Sequence, residues 1–183
     1  VFTHCRNSRC IVDPRWYSTP PLGSRTFSDD TLSEYRDSTL ATISGNPTQA
    51  WIATGGTGGV GKFLQLDLGT KMCVDGVVTM GRGDNDTQGV LSAKIQVSVD
   101  GMNYTDVDGG KVFDLAPLDK YNEQWKINFS SRLQTRYIKF ITETCQTHCA
   151  MRAGVIVGSP PAGQARCKAT TRVDPPLSSR VHS

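Results

Sequence analysis

Nothing in this chain of 183 residues approaches the roughly twenty consecutive apolar residues that a membrane-crossing helix needs, so a helical transmembrane span is excluded. Charged residues are scarce at 20%, and 37% of the residues are hydrophobic, a balance that rules out global disorder and a fibrous repeat. No segment shows a sustained helical stripe, and no internal repeat of useful length is visible. The first residues, Val1 to Arg6, lack the apolar core of a signal peptide, so the chain reads as a mature or excised piece. Histidine is rare, with His4 and His182 in the terminal segments and His148 alone in the body. That leaves one candidate general base, too few for a His-based hydrolytic constellation.

The net charge of +3 is a property of the ends. Residues 1–21 carry Arg6, Arg9 and Arg15 against Asp13, and residues 159–183 carry Arg166, Lys168, Arg172 and Arg180 against Asp174, leaving the middle at −2. A folded nucleic-acid binder concentrates basic charge on its body, so no nucleic-acid partner is expected. Both ends are also marked by Pro-Pro pairs at 20–21, 160–161 and 175–176. Proline lacks the backbone donor and fixes φ, which disfavours regular structure. The expected organisation is an N-terminal extension over 1–21, one compact domain over 22–158 and a Pro-rich basic tail over 159–183.

Six cysteines and three glycosylation sequons point to the secretory pathway, hence an extracellular or cell-surface location. The sequons are Asn85-Asp86-Thr87, Asn103-Tyr104-Thr105 and Asn128-Phe129-Ser130, while proline disqualifies Asn46-Pro47-Thr48. Cys145 and Cys149 bracket Gln146-Thr147-His148. A closed zinc site needs four ligands, and no second pair lies nearby, so a small disulfide loop is the preferred reading, with bonding of the two elsewhere the other.

Period-two alternation dominates the middle of the chain. Phe63–Leu68, Cys73–Thr79, Lys94–Val99, Trp125–Phe129, Arg136–Ile141 and Val155–Val157 read as strands, separated by turn signals at Gly81-Arg82-Gly83-Asp84, Asp100-Gly101 and Asp108-Gly109-Gly110. Many short strands with near-regular turns predict an all-β antiparallel sandwich or barrel. Gly56-Thr57-Gly58-Gly59-Val60-Gly61-Lys62 imitates a phosphate-binding loop, but that loop must open a helix, and Phe63 stands where a magnesium-holding hydroxyl belongs. An alternating strand is expected after it instead, with no nucleotide. Arg82-Gly83-Asp84 matches an integrin-recognition tripeptide at a place where a tight turn calls for glycine anyway.

The ordered run Phe63-Leu64-Gln65-Leu66-Asp67-Leu68-Gly69, Val74–Asp84, Lys94–Tyr104, Gly110-Lys111-Val112-Phe113, Thr135–Phe140 and Met151-Arg152-Ala153-Gly154-Val155, with Trp51 ahead of the glycine loop, resembles the discoidin domain, the type C domain of coagulation factors five and eight. The resemblance covers about residues 22–158. It implies a jelly-roll β-sandwich of about eight strands in the galactose-binding-like class, with irregular terminal extensions. It also implies a binding module, not an enzyme, with recognition loops at one end and the termini at the other. By position those loops are Tyr35–Thr39, Arg82–Gln88 and Cys145–Met151, and the candidate ligand-binding residues are Tyr35, Arg36, Arg82, Asp84, Asp86 and His148.

The partner implied is a glycan or a protein receptor at a cell surface. The alternatives are an architectural spacer in a larger protein, or phospholipid-headgroup binding without deep insertion, because burying such charged loop tips in hydrocarbon would cost several kcal/mol each. No cofactor is expected: some carbohydrate-binding members hold calcium through a carboxylate seven residues before the tryptophan, and here Ser44 stands there and Gly154 replaces a usual glutamate. The family's end-joining disulfide maps to Cys10 (or Cys5) with Cys167. Cys73, inside a strand, reads equally as buried and free.

Overall fold

The computed structural model describes residues 3–6, 9–12, 16–28, 38–40, 50–53, 59–83, 85–117 and 122–158. Eleven strands follow in chain order: β1 (Thr3–Arg6), β2 (Arg9–Val12), β3 (Trp16–Ser18), β4 (Arg25–Phe27), β5 (Trp51–Ile52), β6 (Phe63–Met80), β7 (Gly89–Ser98), β8 (Thr105–Asp106), β9 (Val112–Asp114), β10 (Trp125–Gln146) and β11 (Ala150–Val157). Among the described residues there is no α-helix. The all-β expectation holds, and every pairing is antiparallel.

β1 and β2 form a separate hairpin in which Cys5 faces Cys10 in register. The other nine strands form one connected sheet, ordered β3-β11-β6-β10-β7-β8, with β4 on β6, β5 on β11 and β9 on β7. Residues 1–21, expected to be an irregular extension, therefore contain three strands, and β3 is joined to the domain through β11.

Alternation read from sequence gave separate strands at 63–68 and 73–79; the chain makes them one strand of 18 residues. Its first half pairs with β4 and with Tyr137–Ile141, and its second half with β11 and with Trp125–Thr135. The crossing lies at Gly69, whose φ of 76° suits a residue without Cβ and whose N–H donates to the Asp67 carboxylate over 2.8 Å. β10 makes the matching crossing through register shifts between Asn128 and Leu133 and between Thr135 and Tyr137. Two long strands that each serve both layers join the sandwich into a continuous sheet.

The alternation explains the interior. Leu64, Leu66, Ile95, Ile138 and Phe140 meet Val74, Val77, Phe129, Met151 and Val155 in one core, each side chain stabilising by about 1.5–3 kcal/mol when fully removed from water. Trp51 is completely buried and stacks on Phe27 at 6.1 Å. On the other face of the β6–β11 pair, Val78, Met80 and Ile156 form a second small cluster with Leu40. Hence β11 is buried at every position.

Arg25 is buried beside that cluster, with its cation spread over neighbouring oxygens. Nε donates to Pro20 O (2.8 Å), Nη1 to Ser38 O (2.6 Å) and Oγ (3.0 Å), and Nη2 to Ala153 O (3.0 Å) and Thr19 Oγ1 (3.3 Å). This one guanidinium binds the segment after β3, the 38–40 segment and β11 together. Cys73 is buried and disulfide-bonded, which corrects the reading that it could be free; its partner, like the expected Cys10–Cys167 pair, lies outside the described side chains.

Candidate functional site at the loop end of the sandwich

Register decides which loops meet. Met80 pairs with Arg152, Thr79 with Trp125, and Gly89 with Gln146. The 81–88 loop, the segment leading into β10 and the 147–149 loop therefore emerge at the same end of the sandwich. β3 enters and β11 leaves at the other end, where Trp16 pairs with Val157.

The organising group is Arg152, a fully buried cation within the apolar strand β11. Its Nε donates to Gly81 O over 2.8 Å and its Nη2 to Asn122 Oδ1 over 3.0 Å. Asn122 closes the circuit by donating from Nδ2 to Gly83 O over 3.4 Å. A buried charge must be satisfied by hydrogen bonds or it is prohibitively costly. Here two of its nitrogens, Nε and Nη2, take their partners from two different loops, which ties both to β11.

On that frame Arg82 stands half-buried, with Nη1 donating to Gln88 Oε1 over 2.6 Å across the base of its loop. Asn85 Oδ1 accepts from Thr87 N (2.8 Å) and Thr87 Oγ1 (2.7 Å), a local turn that shapes the tip, and Asp86 is exposed there. Trp125, the first residue of β10, is 38% exposed on the same rim.

The second lobe is built on the Cys145–Cys149 disulfide, as the sequence suggested, with the two Cα atoms 5.0 Å apart. It holds Gln146-Thr147-His148 in a tight loop with Thr147 at φ 52° and His148 half-buried. The glycine loop seats on this bridge. A Cβ at Gly59 would stand 2.6 Å from Cys149 Sγ, Ala53 N donates to Cys149 O (2.9 Å), and Gly61 N donates to Thr142 O (2.8 Å). Residues 59–62 lead into strand β6, as the rejection of a phosphate-binding loop required.

Of the six residues singled out from sequence, Arg82, Asp86 and His148 come to this end of the molecule, whereas Tyr35, Arg36 and Asp84 lie outside the described residues. Sequence reasoning missed Arg152, Asn122 and Trp125 as site-forming groups. A lone arginine in an apolar run was a usable signal for Arg152; Asn122 offered none. Gly154, which stands where the resemblance puts a glutamate, is buried and paired with Val78, while Ser44, at the position of the family's calcium carboxylate, lies outside the described residues.

Away from this end, the outer face of the β6–β10–β7 layer satisfies its own charges. Arg136 forms a two-point pair with Asp67 (2.7 and 2.8 Å), Lys94 pairs with Glu143 (3.1 Å), and Tyr104 bonds Gln65. Lys139 lies over the rings of Tyr104 (3.5 Å) and Phe63 (4.8 Å), and burial pulls its pKa below the usual lysine range.

The F5/8 type C domain family matches residues 25–155, well over half of the chain. The chain belongs to the F5/8 type C domain family. No curated protein sequence matches it. Among solved structures it is similar to discoidin II of Dictyostelium discoideum, with a TM-score of 0.63 at 20% identity over 73% of this chain and 53% of that one. The chain thus spans about half the length of discoidin II. It is also similar to the F5/8 type C domain of a Bacteroides fragilis protein (TM-score 0.58, 13% identity, 79% and 98% covered). A third similar structure is the family 32 carbohydrate-binding module of Clostridium perfringens NanJ in complex with galactose (0.53, 14%, 77% and 99%). At these identities the likeness establishes the fold, and the F5/8 type C architecture accounts for the strand order and the position of the loops.

Proposed function

We propose that this F5/8 type C domain is an extracellular, non-catalytic recognition module that binds a glycan through the polar loops at the end opposite its chain entry and exit. The observation that carries the reading is the Arg152–Asn122–Gly83 circuit, which holds the Arg82 loop against the rim containing Trp125. Rigid strands presenting fixed polar groups beside an exposed aromatic suit a sugar, whose hydroxyls take directional hydrogen bonds and whose ring carbons take an apolar face. The galactose complex of the similar NanJ module supports the same ligand class. Arg82 and His148 are assigned to ligand contact, with Asp86 at the tip; Tyr35, Arg36 and Asp84 belong to the same proposed set.

The test is binding of the oxidised domain to a glycan array, with phosphatidylserine vesicles and candidate receptor ectodomains in parallel. A saturable glycan signal lost on Arg82→Ala or His148→Ala supports the reading. Silence on glycans overturns it, and a signal only on vesicles or on an ectodomain moves the assignment to that partner.

A further inference from the structure

The three sequons occupy unlike places in the fold. Asn103 is folded into the turn after Asp100, whose carboxylate accepts Asn103 N and Asn103 Nδ2 (2.9 Å each) and Met102 N (2.8 Å). Asn85 is half-buried in the candidate site loop, with its carboxamide oxygen bonded to Thr87. Asn128 is exposed in the middle of a strand, and its side chain bonds no described residue. Its cross-strand partner is Gly76, where an added Cβ would run into Ile127 O and approach Asn128 Cα to 3.0 Å. Position 76 therefore sets no side chain opposite Asn128.

Among the described residues, no strand pairs with the other edge of β10 at Asn128. Residues 125–128 pair with β6 on one side, and β7 joins β10 only from Tyr137 onward. Unpaired strand edges are a template for association between copies, and folds protect them with charge, bulges or cover. Ser130, the third residue of the sequon, is tied down by Asp108, which accepts both its N–H (3.0 Å) and its hydroxyl (2.5 Å).

Folding order separates the sequons further. Glycan transfer needs an extended, reachable chain. The turns around Asn85 and Asn103 close over two or three residues and form within microseconds. The β10–β6 pairing joins Asn128 to Gly76 across the whole of β7, β8 and β9, and such non-local contacts form late. Asn128 therefore stays extended longest.

We propose that Asn128 carries an N-linked oligosaccharide that covers this edge of β10, while Asn85 and Asn103 remain bare. In the transfer, Asn128 Nδ2 forms a bond to the anomeric carbon of an oligosaccharide carried on a lipid diphosphate. The bond from that carbon to the diphosphate oxygen breaks, the lipid diphosphate leaves with the electron pair, and one amide proton passes to a base of the transferring enzyme. The assignment rests on passage through the secretory pathway and is independent of what the loops bind.

The full chain, secreted from a glycosylating host behind a heterologous leader, is treated with peptide N-glycosidase in ¹⁸O-water and mapped by mass spectrometry. The expected result is heavy-oxygen aspartate at position 128 and unlabelled asparagine at 85 and 103. Asn128→Gln should remove the mass of one glycan and Ser130→Thr should keep it. Enzymatic removal of the sugar should raise self-association several-fold by sedimentation. An unlabelled position 128 in the secreted wild-type chain overturns the site whatever the variants do, and a deglycosylated chain that self-associates no more than the glycosylated one overturns the covering role. Sugar-array binding is scored separately, so failure here leaves the recognition reading standing.

Discussion

Arg152 Nη2 and Asn122 Oδ1, thirty positions apart, meet at 3.0 Å and tie the strand that closes the sheet to the segment that opens β10. Removing the cation leaves the buried Gly81 O to find a new partner away from water, while Asn122 is exposed and can turn to solvent. Arg152→Met is expected to cost about 3 kcal/mol, since hydrogen bonds to a charged group are each worth about 1.5–3 kcal/mol. Asn122→Ala is expected to cost about 1 kcal/mol. Urea unfolding of the two variants checks the order; equal loss would show that the circuit does not act through the buried charge.

Arg82 differs from Arg152 in standing half in solvent. Arg82→Ala is expected to change stability by no more than about 0.5 kcal/mol, the usual range for a surface substitution. Its glycan affinity should fall by about 10-fold or more, on the order of 1.4 kcal/mol. Calorimetric titration together with thermal unfolding separates these; a fall in both would make Arg82 structural.

The Cys145–Cys149 bridge closes a very short loop, so the chain-entropy gain is modest. Cys145→Ser with Cys149→Ser is expected to lose about 2 kcal/mol. Proteolytic nicking should then appear between 145 and 149, and sugar binding should weaken through His148. A doubly substituted chain that keeps full binding would remove this loop from the site.

Two glycines are expected to refuse alanine, with different severity. At Gly59 the new methyl meets the side chains of the disulfide-bonded Cys149 and of Ala53, and overpacking of this kind costs about 1–3 kcal/mol. At Gly76 it meets the backbone oxygen of Ile127, which cannot move without breaking the strand pair. Gly76→Ala should therefore give insoluble or unfolded chain, and a soluble, cooperatively unfolding variant would contradict the register of β6 on β10.

Acid should weaken the fold through two carboxylates. Hydrogen bonding to Arg136 holds Asp67 below the usual carboxylate range, and the main-chain and side-chain amides of Asn103 hold Asp100 far below it. The unfolded chain lacks these partners, so their contribution is complete above the ordinary carboxylate pKa of about 4 and is lost as pH falls through the lower folded values. Asp67→Asn should flatten the fall in urea midpoint between about pH 4 and pH 2; an unchanged slope would mean that Asp67 carries none of it.

Much of this architecture was readable from residue order. Alternation placed the strands because a half-buried sheet needs it, and the Asp100-Gly101 turn was visible because Gly101 sits at φ 78° against the Tyr137 ring. Strand continuity was not readable, since the crossing at Gly69 looks like a turn until the partner strands are known. The site was legible only in part. Arg82 and His148 announce themselves as polar loop residues, whereas Asn122 acquires its role solely through a bond to a residue thirty positions away. Cys73 stayed open in the sequence between a free thiol and a bridge, because a strand position alone does not name a partner, and it is disulfide-bonded.

Finally, β3 and β11 run antiparallel as neighbours, with Trp16 opposite Val157, so the chain comes in and goes out side by side. Tension applied to the flanking segments would draw these strands apart like a zip, one backbone pair at a time, instead of shearing all the pairs together. Three register pairs open in this way, and then the load reaches Thr19 and Pro20, which Arg25 holds to Ser38 and Ala153. The buried guanidinium is thus a mechanical stop: a pulled molecule gives up its outermost strand while the loops at the far end keep their shape.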